Sequence, residues 1–257
     1  TMLALVSPAK KLDFTEMISP IIFSQPVFLE RSAILVEQAK KLSQSELARL
    51  MKLSDKLTDL NYHRFRAFSP PFTLSNAKQA VLAFRGDTYV GLDATSLSED
   101  DLVYAQDHLR ILSGLYGILR PLDLIQPYRL EMGSRLPNPE GNDLYEFWGD
   151  DIAHAIDTSL ETHKEPVVIN LASNEYFKAA RSNVINKRVI TPVFKEVKNG
   201  ISKVLGIFAK RARGSMARYI IRNRIEDPEN LKKFTSDGYA YQEDMSSEDT
   251  WIFTRRR

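Results

Sequence analysis

Arg188-Val189-Ile190-Thr191-Pro192-Val193-Phe194-Lys195-Glu196-Val197-Lys198-Asn199-Gly200-Ile201-Ser202-Lys203-Val204-Leu205-Gly206-Ile207-Phe208 holds two β-rich runs around an Asn-Gly pair. Asn and Gly both accept the left-handed backbone that a two-residue hairpin turn requires, so this is the strongest short hairpin signal in the chain. The reading is a strand over Arg188–Val197, a turn at Lys198-Asn199-Gly200, and a second strand over Ile201–Phe208. One clear antiparallel pair set among helices argues for an α+β protein, a mixed sheet with surrounding helices, rather than a repeating βαβ layout.

Working outward, Leu3–Val6 and Val167–Leu171 are short apolar runs that read as buried strands, and Ala80–Phe84 is a third strand candidate. Phe28–Leu42 and Ser45–Leu53 carry helical apolar spacing. Ser98 followed by Asp101 forms a capping-box pattern that opens a helix through Leu112, with Gly114 as its stop. Asp143–His163 reads as one longer helix. A further helix follows the hairpin, from about Ala209 to Ile225. Repeats, low-complexity tracts and Gly/Ser linkers are absent, so a single domain over residues 2–257 is expected.

Hydrophobic residues make up 43% and charged residues 26% of the 257 positions, ordinary proportions for a folded protein. Cysteine is absent. That excludes disulfides, thiolate nucleophiles and Cys-ligated metal sites, and it fits a reducing compartment. The opening residues lack a basic lead-in of the export type, and no apolar run reaches the roughly 18 residues of a membrane span. The expectation is a soluble, cytoplasmic protein without membrane contact. His63, His108, His154 and His163 show no metal-ligand spacing, and HExxH, P-loop and GxSxG patterns are missing, so neither a metal nor a cofactor is expected.

Net charge is only +2, but it is unevenly distributed. Residues 186–225 carry eleven basic side chains against Glu196 alone, whereas residues 226–250 carry eight carboxylates against Lys232 and Lys233. Such segregation creates a local field that the net charge hides. On a helix of about 100° per residue, Arg211, Arg218 and Arg222 fall within about 20° of one line, opposite Ala209, Met216 and Ile220. A phosphate backbone is recognised by such an array, because neutralising phosphates releases counterions and guanidinium donors suit phosphate oxygens. The nucleic-acid candidates are therefore Lys210, Arg211, Arg213, Arg218 and Arg222, with duplex or branched DNA as the expected partner. The alternative is a solvated face neutralised by the acidic segment downstream.

Polar residues also gather where strands end, the usual place for a site in a sheet protein. Ser7-Pro8-Ala9-Lys10-Lys11 sets a lysine just past a buried strand. Ser173 and Asn174 follow Val167–Leu171 at a strand-to-helix junction. Tyr116, Arg120, Tyr128, Arg129 and Glu131 fall within one turn-rich segment. Lys10, Tyr116, Arg120, Tyr128, Arg129, Glu131 and Asn174 are accordingly candidates for a cleft, which leaves open an enzyme acting on a small or nucleotide-like substrate. Glu196-Val197-Lys198 has the acid-x-lysine form of metal-dependent nucleases but lacks a properly spaced upstream aspartate.

Ser7-Pro8-Ala9-Lys10, Ala83-Phe84-Arg85-Gly86-Asp87, Pro127-Tyr128-Arg129-Leu130-Glu131-Met132-Gly133, Phe147-Trp148-Gly149, Ile169-Asn170-Leu171-Ala172-Ser173 and Ala212-Arg213-Gly214 together resemble the YaaA peroxide-stress protein family of bacteria. The resemblance runs from Met2 to about Tyr241. It implies resistance to hydrogen peroxide, limitation of damage from free intracellular iron, and DNA binding tied to recombinational repair. It also implies an unusual fold with a positively charged cleft and a helix-hairpin-helix element. No catalytic residue comes with it. The hairpin maps to Leu53–Phe68 with its turn at Asp59-Leu60-Asn61, where both glycines usual in such a turn are replaced. His63, Arg64 and Arg66 stand nearby, and Arg64 joins the nucleic-acid candidates. Oligomeric state is left open.

Overall fold

The computed structural model describes residues 1–15 and 22–257. Its main sheet contains strands β1 (Met2–Val6), β2 (Leu109–Ser113), β3 (Gly117–Leu119), β4 (Val167–Leu171), β5 (Arg188–Lys198), β6 (Ile201–Lys203), β7 (Ala240–Tyr241) and β8 (Thr250–Arg256). Their spatial order is β7-β8-β5-β4-β1-β2-β3, with β6 paired to β5. β1 runs parallel to both β2 and β4, β4 to β5, and β5 to β8, while β3, β6 and β7 are antiparallel to their neighbours.

The α+β class and its mixed sheet are thus as expected, and so is the hairpin. Lys198 pairs with Ile201 across Asn199 and Gly200, both at positive φ. The second strand stops at Lys203, and Gly206 already opens the next helix. The sheet's centre is parallel and covered on both faces, which is why β1, β2 and β4 are buried at every position. β5 alternates instead, burying Ile190, Pro192, Phe194 and Glu196 on one face.

Helices α1 (Leu29–Lys40), α2 (Gln44–Met51), α3 (Asp55–Ala67), α4 (Asp87–Leu92), α5 (Glu99–His108), α6 (Leu144–Trp148), α7 (Asp151–Leu160), α8 (Asn174–Ala179) and α9 (Gly206–Asn223) pack around the sheet. Ser98 and Asp101 cap α5 reciprocally. That helix ends at His108, however, and Leu109 onward joins the sheet beside β1 rather than continuing to Leu112. Gly114 stops no helix. A Cβ there would stand 2.1 Å from the Leu130 carbonyl oxygen, so the residue is small because another backbone crosses it. Ala80–Ala83 forms one helical turn, not a strand. The expected helix over Asp143–His163 is two, broken at Gly149.

The expected hairpin turn at Asp59-Leu60-Asn61 lies in the interior of α3. Asn61 is fully buried there, and its amide donates to the Leu57 carbonyl one turn back. A side chain satisfied within the helix leaves no reason to leave it. The reversal sits upstream instead, where Lys52 adopts φ 54° and Ser54 caps α3 through the Leu57 amide. α2 and α3 therefore form a helix–turn–helix pair around Lys52–Ser54.

One contiguous apolar core extends from Met2 to Phe253. Within it, α4 crosses α9 almost backbone to backbone. A Cβ on Gly91 would lie 2.0 Å from the Arg211 carbonyl oxygen, and one on Gly214 would lie 1.7 Å from that of Thr88.

Candidate functional site

β1 is the point at which the sheet reverses its order. The chain passes from β1 to β2 on one side and later returns to β4 on the other. Parallel strands whose connections leave in opposite directions open a crevice beyond their carboxyl ends. A cleft of about 440 Å³ lies at that position, lined by Ser7 and Lys10 after β1 and by Ser173 and Glu175 after β4. The two strand ends are tied together: the Ser173 amide donates to Ser7 Oγ at 2.8 Å, and Ser7 Oγ donates to Ser173 Oγ at 3.2 Å.

Six basic residues line the cleft, Lys10, Lys11, Arg85, Arg129, Lys210 and Arg213, against the carboxylates of Asp87, Glu131 and Glu175. Glu131 Oε1 lies 3.3 Å from Lys10 Nζ and 3.4 Å from Arg129 Nη2, so one carboxylate serves two cations. Arg129 Nε is buried without an acceptor. Arg213 has no ion-pair partner among the described residues, and burial lowers the pKa of its guanidinium. Glu175 accepts from the Gly133 amide at 2.8 Å, and Asp87 faces Arg211 at 3.5 Å.

The uncharged wall combines the phenols of Tyr89, Tyr128 and Tyr176 with Pro8, Ala9, Leu130 and Leu171. Tyr89 donates to the Ser7 carbonyl at 2.8 Å, and the Tyr128 hydroxyl lies 2.7 Å from Ser113 Oγ. Burial pushes the pKa of Tyr89, Tyr128 and Tyr176 upward, so all three stay neutral near pH 7. The cleft therefore presents a surplus of positive charge over a neutral, partly aromatic floor.

Lys10, Tyr128, Arg129 and Glu131, named from the sequence, meet here, and Lys210 and Arg213 join them from α9. Tyr116 lies behind the wall, fully buried, its ring 5.2 Å from that of Tyr128 and its hydroxyl bonded to Gln126. Asn174 is exposed at the start of α8 and does not line the cleft. Arg120 belongs to another part of the molecule, paired with Asp123 at 3.1 Å. Arg64 is half-buried and does not line the cleft, though burial and then repulsion from Arg129 lower its pKa. Lys11, Arg85 and Asp87 line the cleft as well and were not among the expected site residues, although Arg85-Gly86-Asp87 belongs to a segment that carries the family resemblance.

The basic face expected on α9 is partly engaged by neighbouring helices, with Arg211 and Arg222 exposed. Met216 and Ile220 are buried as the helical spacing requires. Arg211 pairs with Asp87, Arg218 donates to the carbonyls of Leu92 and Asp93 at 3.1 and 3.0 Å, and Arg222 faces Asp101 at 3.7 Å. The reason is the glycine crossing, which brings α4 and its C-terminal carbonyls under the arginine line. The neutralising carboxylates come from upstream helices, not from residues 226–250. Glu196 is likewise taken: buried in β5, it accepts from Tyr239 at 2.6 Å and Arg255 at 2.5 Å, so the acid-x-lysine element is a structural lock. Among the described residues, no cluster of three or more His, Asp or Glu side chains is arranged to hold a metal ion. No helix among them is long and apolar enough to cross a membrane.

The profile of a family described as peroxide stress protein YaaA matches residues 2–245. A UPF0246 protein of Alteromonas mediterranea is 54% identical over 256 residues, covering 100% of this chain and 99% of that protein. One from Ralstonia nicotianae is 52% identical over 255 residues, with 99% of each covered. The match spans all five segments that build the cleft, and on that whole-length likeness the chain belongs to the YaaA family of peroxide stress proteins.

Proposed function

We propose that this peroxide stress protein binds DNA through its phosphate backbone, without regard to sequence, at the cleft beyond β1 and β4, and so limits iron-dependent oxidative damage to DNA. The observation that carries the reading is Arg213, a guanidinium without an ion-pair partner among the described residues, in a cleft where six basic residues meet three carboxylates. A folded protein gains little from such an arrangement by itself, because like charges drawn together in a concavity repel one another. A phosphodiester relieves that repulsion, and arginine donors match its oxygens in pairs. Phosphate contacts carry no base information, so binding is expected to be independent of sequence.

The test is fluorescence anisotropy on unrelated duplexes and on a branched junction, across a salt series, with the full chain and a Lys210→Glu/Arg213→Glu variant. Steep salt dependence that flattens in the variant supports the reading. Unchanged affinity and slope in a folded variant would falsify it.

The size of the cleft favours a second reading. About 440 Å³ accommodates one nucleotide-sized molecule, within the range of small-ligand sites. Glu131, held between Lys10 and Arg129, would then be a reacting carboxylate in an enzyme. Loss of peroxide protection in Glu131→Gln, with DNA binding retained, distinguishes that reading from the first.

A further inference from the structure

Arg110 is the second residue of β2, on a strand buried at every position, and it is itself only 9% exposed. Its Nη1 donates to the carbonyls of Gln106 and Leu109, and its Nη2 donates to Ser159 Oγ at 3.3 Å. Among the described residues no carboxylate lies within ion-pair distance of it, and the charges of Asp123 and then Asp107 act on it from farther away. Burying a guanidinium with only neutral dipoles in contact and its carboxylates at a distance is costly, since desolvation outweighs what they return. The same burial draws its pKa down to about 10. Nε–H and one Nη2 hydrogen have no acceptor among the described residues, although the guanidinium offers five donors in a fixed fork.

Arg110 lines a cavity of about 570 Å³ between α7 and the edge strand β3. Its other charges are already matched. Arg120 and Asp123 pair with each other, and Asp123 also accepts from Ser24 Oγ at 2.6 Å. Asp151 pairs with Arg31 at 3.3 Å. Of the Arg and Asp residues lining the cavity, Arg110 is the one without an ion pair among the described residues, Asp123 acting on it only from farther away. Phe28, Ile118 and Ala155 supply an apolar wall, while His154 and Thr158 stand at the rim on one face of α7.

We propose that this cavity binds a small organic oxyanion, its charged oxygens on Arg110 and its apolar end against Phe28 and Ile118. The inference is independent of DNA binding. The cleft lies past the carboxyl ends of β1 and β4, whereas Arg110 lies at the amino end of β2. The shared chemistry is a planar or tetrahedral oxyanion able to take two guanidinium donors, and either a carboxylate or a phosphate ester supplies it.

Benzoate and inorganic phosphate, titrated separately into the full ¹⁵N-labelled chain, test the assignment. Saturable amide shifts at Thr158, Ser159 and Arg110 are expected with at least one probe. Benzoate alone assigns a carboxylate, phosphate alone a phosphate ester, and both an oxyanion site of either kind. His154→Glu adds a negative charge at an exposed position and is expected to weaken binding about tenfold without disturbing the fold. Arg110→Gln is expected to abolish binding, with His154→Glu serving as the measure should that buried variant not fold. Absence of shifts at these residues with both probes overturns the proposal, as do shifts confined to the cleft or equal affinity in His154→Glu.

Discussion

Lys10 Nζ lies 3.3 Å from Glu131 Oε1, and the pair joins one strand end to the turn-rich segment within the cleft lining. The lysine side chain is 65% exposed, so the pair adds little to stability, on the order of 0–1 kcal/mol. Its consequence is electrostatic: Glu131 cancels charge that Lys10 and Arg129 would otherwise offer a phosphate.

Removing that carboxylate charge is therefore expected to strengthen DNA binding. Glu131→Gln should raise duplex affinity by roughly two- to tenfold at low salt, with the gain shrinking as salt screens it. Anisotropy titrations of both proteins at two ionic strengths check this. A weaker Glu131→Gln complex would count against a phosphate role for Lys10 and Arg129.

The two sets of arginines on α9 are expected to behave differently. Reversing Lys210 and Arg213 to Glu should lower the log–log salt slope by about 0.9 for each phosphate that is no longer neutralised. Reversing Arg211 and Arg222 removes their ion pairs with Asp87 and Asp101 and should instead reduce thermal stability. If both double variants bind DNA equally weakly while remaining folded, the binding surface extends over α4 and α5.

Gly91 and Gly214 set how closely α4 and α9 approach. Alanine at either position places a Cβ against backbone, which cannot rotate away. Each substitution is expected to cost about 3 kcal/mol or more, above the usual range for a small-to-large change in a core. Urea unfolding at constant pH reads this directly. A midpoint equal to that of the parent protein would show that the helices separate at little cost.

Asp13 sets an acid limit on stability. Hydrogen bonds from the Thr15 amide and hydroxyl, with Lys78 and Arg85 nearby, lower its carboxyl from 3.8 to about 2. Between about pH 4 and about pH 2 the unfolded chain binds a proton at this residue that the folded chain refuses. Stability from Asp13 is therefore full above about pH 4 and declines as pH falls toward about 2. In Asp13→Asn the decline over that interval should be shallower, as measured by urea midpoints at about pH 2.5, 3.5 and 5.

Local signals in the sequence determined what local interactions control. Asn199-Gly200 placed the hairpin turn, since only positive φ closes it. Ser98 with Asp101 placed the start of α5 through a reciprocal cap, and the unbroken apolar runs at Leu3–Val6 and Val167–Leu171 marked the buried strands. The same information located the basic segment and identified which side of α9 carries Met216 and Ile220. What covers the opposite side depends on residues more than a hundred positions away. Gly91 and Gly214 bring α4 under Arg211 and Arg218, and that contact ties the arginine face to neighbouring helices while Arg211 and Arg222 stay exposed. Leu109–Ser113 became a strand for the same kind of reason: β1 was available beside it, and pairing to β1 outweighed continuation of the helix. The cleft too is a product of topology. Its charges come from five separated segments, and only the reversal of strand order at β1 brings Lys10, Arg129 and Arg213 around one crevice, because a sheet's open end lies where its connections part.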